Sequence, residues 1–275
     1  MTVLVTGATG NVGRHVVTGL LAAGRRVRAL TRTPDRSGLP GGAEITGGDL
    51  TRPETYERML DGVEAVYLFP VPETAAAFAG AARRAGVRRI VVLSSDSVTD
   101  GTDTGGHRRV ELAVEDTGLE WTHVRPGEFA LNKVTLWAPS IRAEGVVRSA
   151  YPDARVAPVH EADVAAVAVT ALLKEGHAGR AYSVTGPQAL TQREQVRAVG
   201  EGLGRSLAFV EVTPGQARAD LTAQGLPAPI ADYVLAFQAG WTERPAPARP
   251  TVREVTGRPA RTLAQWAADH RADFR

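Results

Sequence analysis

The sequence predicts an α/β protein built around a doubly wound parallel sheet. Apolar runs suited to buried strands alternate with helical patterns over the first half of the chain. The first run, VLVTG at 3–7, leads directly into a turn that contains Gly7, Gly10 and Gly13. Alternation of this kind is typical of a parallel sheet with helices on both faces.

Five runs in this half are predicted strands: VLVTG at 3–7, VRAL at 27–30, AVYLF at 65–69, RIVVLSS at 89–95 and WTHVRP at 121–126. A helix is predicted after the first strand, where valines and leucines form an apolar stripe that ends at Gly24. The segment 53–62 begins with proline and ends with glycine, as helices do, and the alanine-rich segment 73–86 also predicts a helix.

After about residue 126 the alternation loosens. We predict an amphipathic helix at 160–176, a strand at 180–186, a helix at 190–204, a proline-rich loop at 243–250 and a last helix in RTLAQWAADHRADF. These patterns favour two domains: residues 1–150 as the sheet-bearing domain, and residues 151–275 as a smaller C-terminal lobe partly interleaved with the sheet.

Composition excludes several function classes. The 275 residues are 43% hydrophobic and 23% charged, which suits a sizeable globular core. The chain has no cysteine, so disulfides, thiolate metal sites and cysteine nucleophiles are excluded. Its six histidines show no metal-ligand spacing, and a net charge of +2 does not imply nucleic acid. With no basic leader and no run long enough for a membrane span, we expect a cytoplasmic protein that binds no metal, membrane or nucleic acid.

The glycine turn predicts a phosphate site. A strand, a glycine-rich turn and a helix present unpaired amides and the positive end of a helix dipole, and glycine allows close approach to the backbone. The spacing of Gly7, Gly10 and Gly13 is GxxGxxG rather than GxGxxG. A tight turn without a ligand is the alternative.

Several segments together resemble the NmrA-like branch of the atypical short-chain dehydrogenases/reductases. The segments are TGATGNVGR after the first strand, GDL at 48–50, SSDSV at 94–98, TGLEWTHVRPGEF at 117–129, PVHEADVAAVA at 158–168 and a terminal TGRPARTLAQWAADH. The resemblance implies a Rossmann fold with a small substrate lobe and NADP or NAD bound at the glycine motif. It also implies reduction of quinones, azo dyes or other small molecules, beside members that only sense the cofactor.

NADP(H) is the predicted cofactor. An acidic residue that reads the ribose of NAD is expected about 20 residues beyond the glycine motif, but Arg32 stands there, 32 − 13 = 19 residues after Gly13. A guanidinium suits a 2′-phosphate, while a solvated surface arginine is the alternative. Asp49 matches the family position beside the adenine, with a turn or helix cap as its alternative. The complete set of predicted cofactor positions is Gly7, Thr9, Gly10, Asn11, Val12, Gly13, Arg32, Asp49, Leu50, Phe69, Pro70, Ser94 and Pro126.

The usual catalytic pair of this family is absent. None of the five tyrosines is followed four residues later by lysine. About where the pair is expected stand His107 and, one helical turn later, Glu111, so a protonated His107 could donate a proton to an acceptor oxygen. The alternative is that His107 lies in the solvated first turn of a charged helix. Ser95 matches the family serine that orients carbonyl substrates, with a loop cap as its alternative.

Reduction of a quinone yields a stabilised oxyanion that water can protonate, so hydride transfer does not require a protein acid. By family position Phe129 and Asn132 are predicted to contact the acceptor, with ordinary packing as the alternative. We therefore predict an NADPH-dependent reductase of a small quinone or a conjugated or aromatic carbonyl compound. The alternative is a non-catalytic sensor of NADP(H) that docks on a regulatory protein. The oligomeric state stays open, with a homodimer as one alternative.

Overall fold

The apolar runs of the first half lie side by side in one sheet. The structure is a computed structural model that describes the backbone of residues 1–275 and every side chain except that of Arg36. Its strands, in chain order, are β1 (Thr2–Val5), β2 (Arg26–Thr31), β3 (Glu44–Gly47), β4 (Ala65–Leu68), β5 (Arg89–Leu93), β6 (Glu120–Pro126), β7 (Val146–Ser149), β8 (Arg155–Val156), β9 (Arg180–Val184), β10 (Leu190–Thr191) and β11 (Ala208–Glu211).

The helices connect these strands or cap the units that the strands form. In chain order they are α1 (Gly13–Ala22), α2 (Tyr56–Leu60), α3 (Ala75–Arg84), α4 (His107–Glu115), α5 (Asn132–Leu136), α6 (Ala138–Glu144), α7 (Glu161–Leu173), α8 (Gln192–Leu203), α9 (Pro214–Ala223), α10 (Ala228–Glu243), α11 (Thr251–Thr256) and α12 (Leu263–Asp269).

The chain forms two units, which are described separately. The first comprises Met1–Gly127, Glu161–Val184 and Thr251–Arg258, and the second comprises Glu128–His160, Thr185–Pro250 and Pro259–Arg275. The boundary at residue 150 predicted from the sequence lies inside the first segment of the second unit.

The sheet of the first unit has seven strands in the order β3-β2-β1-β4-β5-β6-β9, and every neighbouring pair is parallel. The chain turns from one half of the sheet to the other between β1 and β4, which is where ligands bind in such sheets. The predicted doubly wound fold is confirmed.

The central strands β1 and β4 are buried at every position and, apart from Thr2, apolar, as expected for strands covered on both faces. Helices α2, α3 and α4 pack on one face around a core that contains Leu4, Val66 and Ile90, all fully buried. Tyr56 and Phe78 meet edge to face in that core, with ring centroids 5.2 Å apart. Helices α1 and α7 pack against each other, α1 also against β1 and β2, and α7 also against β4, β5 and β6.

The second unit has its own apolar cluster, in which α8 packs along α12. Within it β7 pairs in parallel with β11, and β8 pairs antiparallel with β10. Capping boxes fix the first turns of three helices here, formed by Thr191 for α8, Thr213 for α9 and Thr262 for α12.

The structure also contains elements that the sequence patterns did not predict: β3, β7, β8, β11, α5, α6, α9, α10 and α11. Strand β10 occupies the first two residues of the helix predicted at 190–204. Strands β3 and β11 are short and partly exposed at sheet edges, so they lack an apolar run. Helix α10 carries exposed Ile230 and Tyr233 beside buried Ala231 and Leu235, which blurs its helical periodicity. Among the described residues, no helix has the length and apolar character needed to cross a bilayer.

Candidate active site

The glycine turn at the carboxyl end of β1 depends on the absence of side chains. Gly7 has a φ of +58°, a conformation that glycine adopts without strain. Its carbonyl oxygen accepts a hydrogen bond of 2.9 Å from the Gly10 amide. A Cβ on Gly13 would lie 2.1 Å from that same oxygen, and one on Gly10 would lie 3.1 Å from it. The turn therefore folds tightly only with glycine at 13, and Gly10 keeps the outer surface of the turn bare.

The N-terminus of α1 offers donors to a ligand. No side chain caps it at Val12, and its first turn carries no acidic residue. Asn11 is exposed, and the Thr9 carbonyl oxygen accepts from the Arg14 guanidinium at 2.9 Å. The Arg14 and His15 amides already donate to the Gly10 and Val12 carbonyl oxygens, at 3.1 and 3.0 Å, so the donors left for a ligand are those of the turn before them. Free amides at a helix N-terminus beside a glycine cradle are the donor set that binds a pyrophosphate. These residues fit the phosphate part of a dinucleotide.

Phe69 lies over the glycine turn at the end of β4. A Cβ on Gly7 would lie 3.0 Å from the Phe69 Cβ, so this glycine also permits the ring to pack there. The Phe69 side chain remains 45% exposed, and its amide donates to the Thr6 hydroxyl at 2.7 Å. Thr6 in turn donates to the Tyr67 carbonyl oxygen at 3.0 Å, which fixes the end of β4 against the end of β1. Phe69 and the half-buried Pro70 thus follow β4 directly, and their contact with a cofactor stays a prediction.

Arg32 and Asp49 follow the ends of β2 and β3. Arg32 is exposed, and no described side chain forms an ion pair or hydrogen bond with its guanidinium. Asp49 accepts from the Thr51 amide at 2.9 Å and from the Thr51 hydroxyl at 2.8 Å. These bonds, together with the positive charge of Arg32, hold the pKa of the Asp49 carboxyl below its usual value. Asp49 therefore caps a local turn within the electrostatic reach of Arg32, and buried Leu50 follows it.

The two serines after β5 face different partners. The Ser94 hydroxyl is buried and donates to the Glu111 carboxylate at 2.6 Å. The Ser95 hydroxyl accepts from the Ser97 amide at 3.3 Å and from the Ser97 hydroxyl at 2.8 Å. Ser95 thus caps the short turn that follows it, and its role toward a substrate stays a prediction.

His107 pairs with Asp103 and not with the carboxylate that the helical spacing suggests. The Asp103 carboxylate lies 2.7 Å from His107 Nδ1 and accepts from the His107 amide at 2.9 Å. The His107 side chain is 37% exposed. Burial acts to raise the pKa of Asp103, but bonds from the amide and ring of His107 and from the Gly106 amide outweigh it and bring that pKa to about 2. Asp103 is therefore ionised and orients the imidazole, which leaves Nε2 as the outward atom.

Glu111 belongs to a buried ionic network that the sequence did not reveal. Its carboxylate accepts from Arg125 at 2.7 and 2.8 Å and from Arg108 at 3.0 Å, in addition to Ser94. Burial acts to raise the pKa of Glu111, but the hydrogen bonds from Arg125 and Ser94 and the other positive charges keep it below its usual value. Glu115 and His123 lie beside it, but the arginines already occupy the carboxylate oxygens of both glutamates. The cluster is a structural ion-pair network, and we assign no metal to it.

The two predicted acceptor residues lie in the second unit, whereas Pro126 ends β6 in the first. Phe129 is half-buried and forms a bridge with Val159. Asn132 begins α5, its amide donates to the Phe129 carbonyl oxygen at 3.1 Å, and its side chain is exposed. Both contacts with an acceptor stay predictions.

A model of the NAD(P)H-binding family matches residues 7–175. That segment contains the glycine turn, Phe69 and the network around Glu111. The chain belongs to the NAD(P)H-binding family. The predicted NmrA-like resemblance is confirmed.

Two curated relatives match along nearly their whole length. A (4-alkanoyl-5-oxo-2,5-dihydrofuran-3-yl)methyl phosphate reductase of Streptomyces griseus is 45% identical over 99% of each chain. An NAD(P)H azoreductase of Xenophilus azovorans is 35% identical over 99% of each chain. Among solved structures, the triphenylmethane reductase of Citrobacter sp. is 21% identical, covers 99% of this chain and 100% of its own, and has a TM-score of 0.86, which shows the shared fold.

These relatives, together with the glycine cradle and the uncapped α1, show that the chain is an NAD(P)H-dependent oxidoreductase. The catalytic alternative predicted from the sequence is therefore favoured over the sensor. Sequence reasoning predicted the glycine turn but missed the contacts of Asp103, Arg108 and Arg125. An aspartate four residues before His107, with two glycines between them, was the available signal for the first.

Proposed function

We propose that the protein is an NADPH-dependent reductase that transfers hydride to a small carbonyl-conjugated or quinone-type acceptor. The observation that carries the choice of NADPH is Arg32, an exposed guanidinium at the end of β2 that forms no ion pair or hydrogen bond with any described side chain. No acidic residue follows the second strand at the position that reads the ribose hydroxyl of NAD. A planar guanidinium suits a 2′-phosphate through paired, charge-assisted hydrogen bonds.

The acceptor class follows from the chemistry that the chain lacks and from its relatives. The chain has no tyrosine with a lysine four residues later to protonate an alkoxide. The more similar relative is named for an oxo-dihydrofuran that carries an alkanoyl group, and the other is an azoreductase. In an alkene conjugated with a carbonyl group, hydride adds to the β-carbon and the π-electron pair moves to the carbonyl oxygen. The resulting enolate is stabilised and can take its proton from solvent, so a strong protein acid is unnecessary.

The chain's own residues then bind the cofactor and orient it toward the acceptor. The uncapped first turn of α1 and the bare surface at Gly10 bind the pyrophosphate, and Arg32 binds the 2′-phosphate. When bound, the reduced nicotinamide supplies the hydride. Phe69 provides an apolar surface beside Gly7 that limits water there. His107, held by Asp103, presents Nε2 as a proton donor for an acceptor whose reduced form is too basic for water to suffice.

The test measures both cofactor and acceptor. Anaerobic steady-state oxidation of NADPH and NADH is followed with menadione, an acyl-substituted 2(5H)-furanone, an azo dye and acetophenone as acceptors. We expect turnover of the conjugated acceptors and tighter binding of NADPH than of NADH by roughly one to two orders of magnitude. Arg32→Ala should remove most of that difference, whereas Arg26→Ala, at the amino end of the same strand, should not change it. Equal affinity of the unaltered protein for both cofactors would contradict the role of Arg32, and oxidation of neither cofactor with any acceptor would contradict the acceptor class.

The proton donor is tested separately. If His107 donates, His107→Phe should lower the rate of ketone reduction by about two orders of magnitude. Quinone reduction should change little. Identical rates in His107→Phe would mean that solvent supplies the proton for every acceptor.

A further inference from the structure

The second unit contains a cavity that the proposed reductase chemistry does not use. Its volume is about 340 Å³, and its walls come from α6, the end of β7, α9 and α10. An engineered apolar cavity of about 150 Å³ holds benzene, and small-molecule sites begin at about 300 Å³. The space therefore suffices for one ring with a short chain attached.

Nine of the sixteen lining residues are apolar. Leu136, Trp137, Leu221 and Leu235 contribute large apolar side chains to the lining. Small residues among them leave the volume open, including Ala217 on α9, which is itself 5% exposed. A lining that combines apolar side chains with polar groups at fixed positions suits a molecule with both an apolar body and a polar group.

Seven of the sixteen lining residues are polar or charged, and two of these seven are nearly buried. Gln238 lies on α10 and is 9% exposed, and Ser149 at the end of β7 is 4% exposed. Their only mutual contact is a long one, 3.5 Å from Ser149 Oγ to Gln238 Oε1. Among the described residues, none accepts a hydrogen bond from Gln238 Nε2. Gln238 is a lining residue, so this amide donor is open to the cavity and available to an acceptor oxygen there.

The charges of the lining argue against an anion. Arg148 is paired with Glu144 at 2.6 Å, and both residues lie at the cavity. Asp220 lies there as well, so two carboxylates face one guanidinium that is already neutralised. A phosphate or carboxylate would therefore meet net negative charge, whereas an uncharged molecule would not.

We propose that this cavity binds an uncharged amphiphilic small molecule, with an aliphatic or aromatic body against the leucines and Trp137 and one carbonyl oxygen that accepts from Gln238 Nε2. The class comprises medium-chain lactones, esters and ketones. This inference does not rest on the reductase reaction, because every lining residue belongs to the second unit.

The probe is γ-decalactone, a saturated lactone that cannot accept hydride at an alkene, titrated into the full chain by calorimetry. We expect saturable binding to the unaltered protein and at least tenfold weaker binding of decanoate, its anionic counterpart in chain length. Ala217→Phe fills the cavity and should abolish lactone binding, while Ala219→Phe, exposed on the same helix, should leave it unchanged. Gln238→Leu should weaken lactone binding up to about tenfold, the measure of one lost hydrogen bond.

NADPH binding and thermal melting, recorded for each variant, show whether it is folded. Absence of lactone binding by the unaltered protein, or equal affinity in a folded Ala217→Phe variant, would overturn the proposal. If Ala217→Phe does not fold, the side-chain amide resonance of Gln238, assigned by its loss in Gln238→Leu, decides the question in the unaltered protein. A shift of that resonance on lactone addition supports the site, and an unmoved resonance overturns it.

Discussion

Replacing Glu111 by glutamine tests whether this residue is a structural ion or a catalytic partner of His107. The Glu111 carboxylate is fully buried and accepts four hydrogen bonds, one from Ser94, two from Arg125 and one from Arg108. A glutamine retains one acceptor oxygen and turns an amide donor toward groups that are themselves donors. The Arg125 side chain, only 16% exposed, would lose its counterion.

Removing one partner of a buried ion pair typically costs about 3–5 kcal/mol, because the other charge stays desolvated. We therefore expect Glu111→Gln to lower the free energy of unfolding by about that amount, measured by equilibrium urea denaturation. The matched control is Glu57→Gln, since Glu57 is exposed and forms no ion pair among the described residues. In material that remains folded, the pH profile of ketone reduction should match that of the unaltered protein.

The opposite pattern would refute this reasoning. If Glu111→Gln unfolds at the same urea concentration as the control yet alters the pH profile, Glu111 acts on the proton donor and the network is not structural. Replacing both Glu111 and Arg125 by apolar residues should recover the lost stability. If it does not, packing and not the unpaired charge dominates the loss.

Three further predictions test other parts of the first and second units. Gly13→Ala should abolish folding of the turn and NADPH binding, since its Cβ would lie 2.1 Å from a backbone oxygen, whereas Gly10→Ala, at 3.1 Å, should stay folded by circular dichroism and bind NADPH more weakly. The pKa of Asp103 is about 2 in the folded protein, against an ordinary 3.8. Its ionised form therefore contributes about 2 kcal/mol to the free energy of unfolding above about pH 4, and this contribution is lost as the pH falls toward 2. Asp103→Asn should remove that part of the pH dependence of unfolding. Lys133→Met should destabilise the second unit by about 3–5 kcal/mol in urea denaturation. The reason is that the Glu128 carboxylate, which accepts from Lys133 at 3.1 Å, would stay buried without its cation. Adding Glu128→Leu to the same chain should restore most of the lost stability.

Local signals carried the prediction of the sheet and of the cofactor turn. Strands such as β1 and β5 are largely apolar runs of four or five residues, the pattern of strands buried on both faces of a parallel sheet. The turn was predictable because Gly7 needs a positive φ and Gly13 must lie against the Gly7 carbonyl, two demands that only glycine meets.

Elements whose stability comes from distant partners gave no such signal. Strand β11 has a half-exposed pattern and exists because it pairs with β7, more than fifty residues earlier in the chain. Helix α10 has a mixed apolar surface, and its register is fixed by packing within the second unit. Neither element has a periodic apolar pattern in its own residues from which it could be predicted.

The partner of His107 shows the same difference between local sequence signals and contacts made in the folded structure. Helical spacing places Glu111 one turn from His107, and that spacing is correct, since both lie on α4. Glu111 nevertheless points into the protein toward Arg125 on β6, while Asp103, in the loop before α4, takes the imidazole. By itself the sequence determined the sheet, the glycine turn, and the absence of both the tyrosine and lysine pair and a ribose-reading acid, because these depend on backbone freedom and residue identity. Only the tertiary structure decided which carboxylate meets which cation, because a buried charge selects its partner by proximity in space, and neighbours in space are set by strands far apart in the chain.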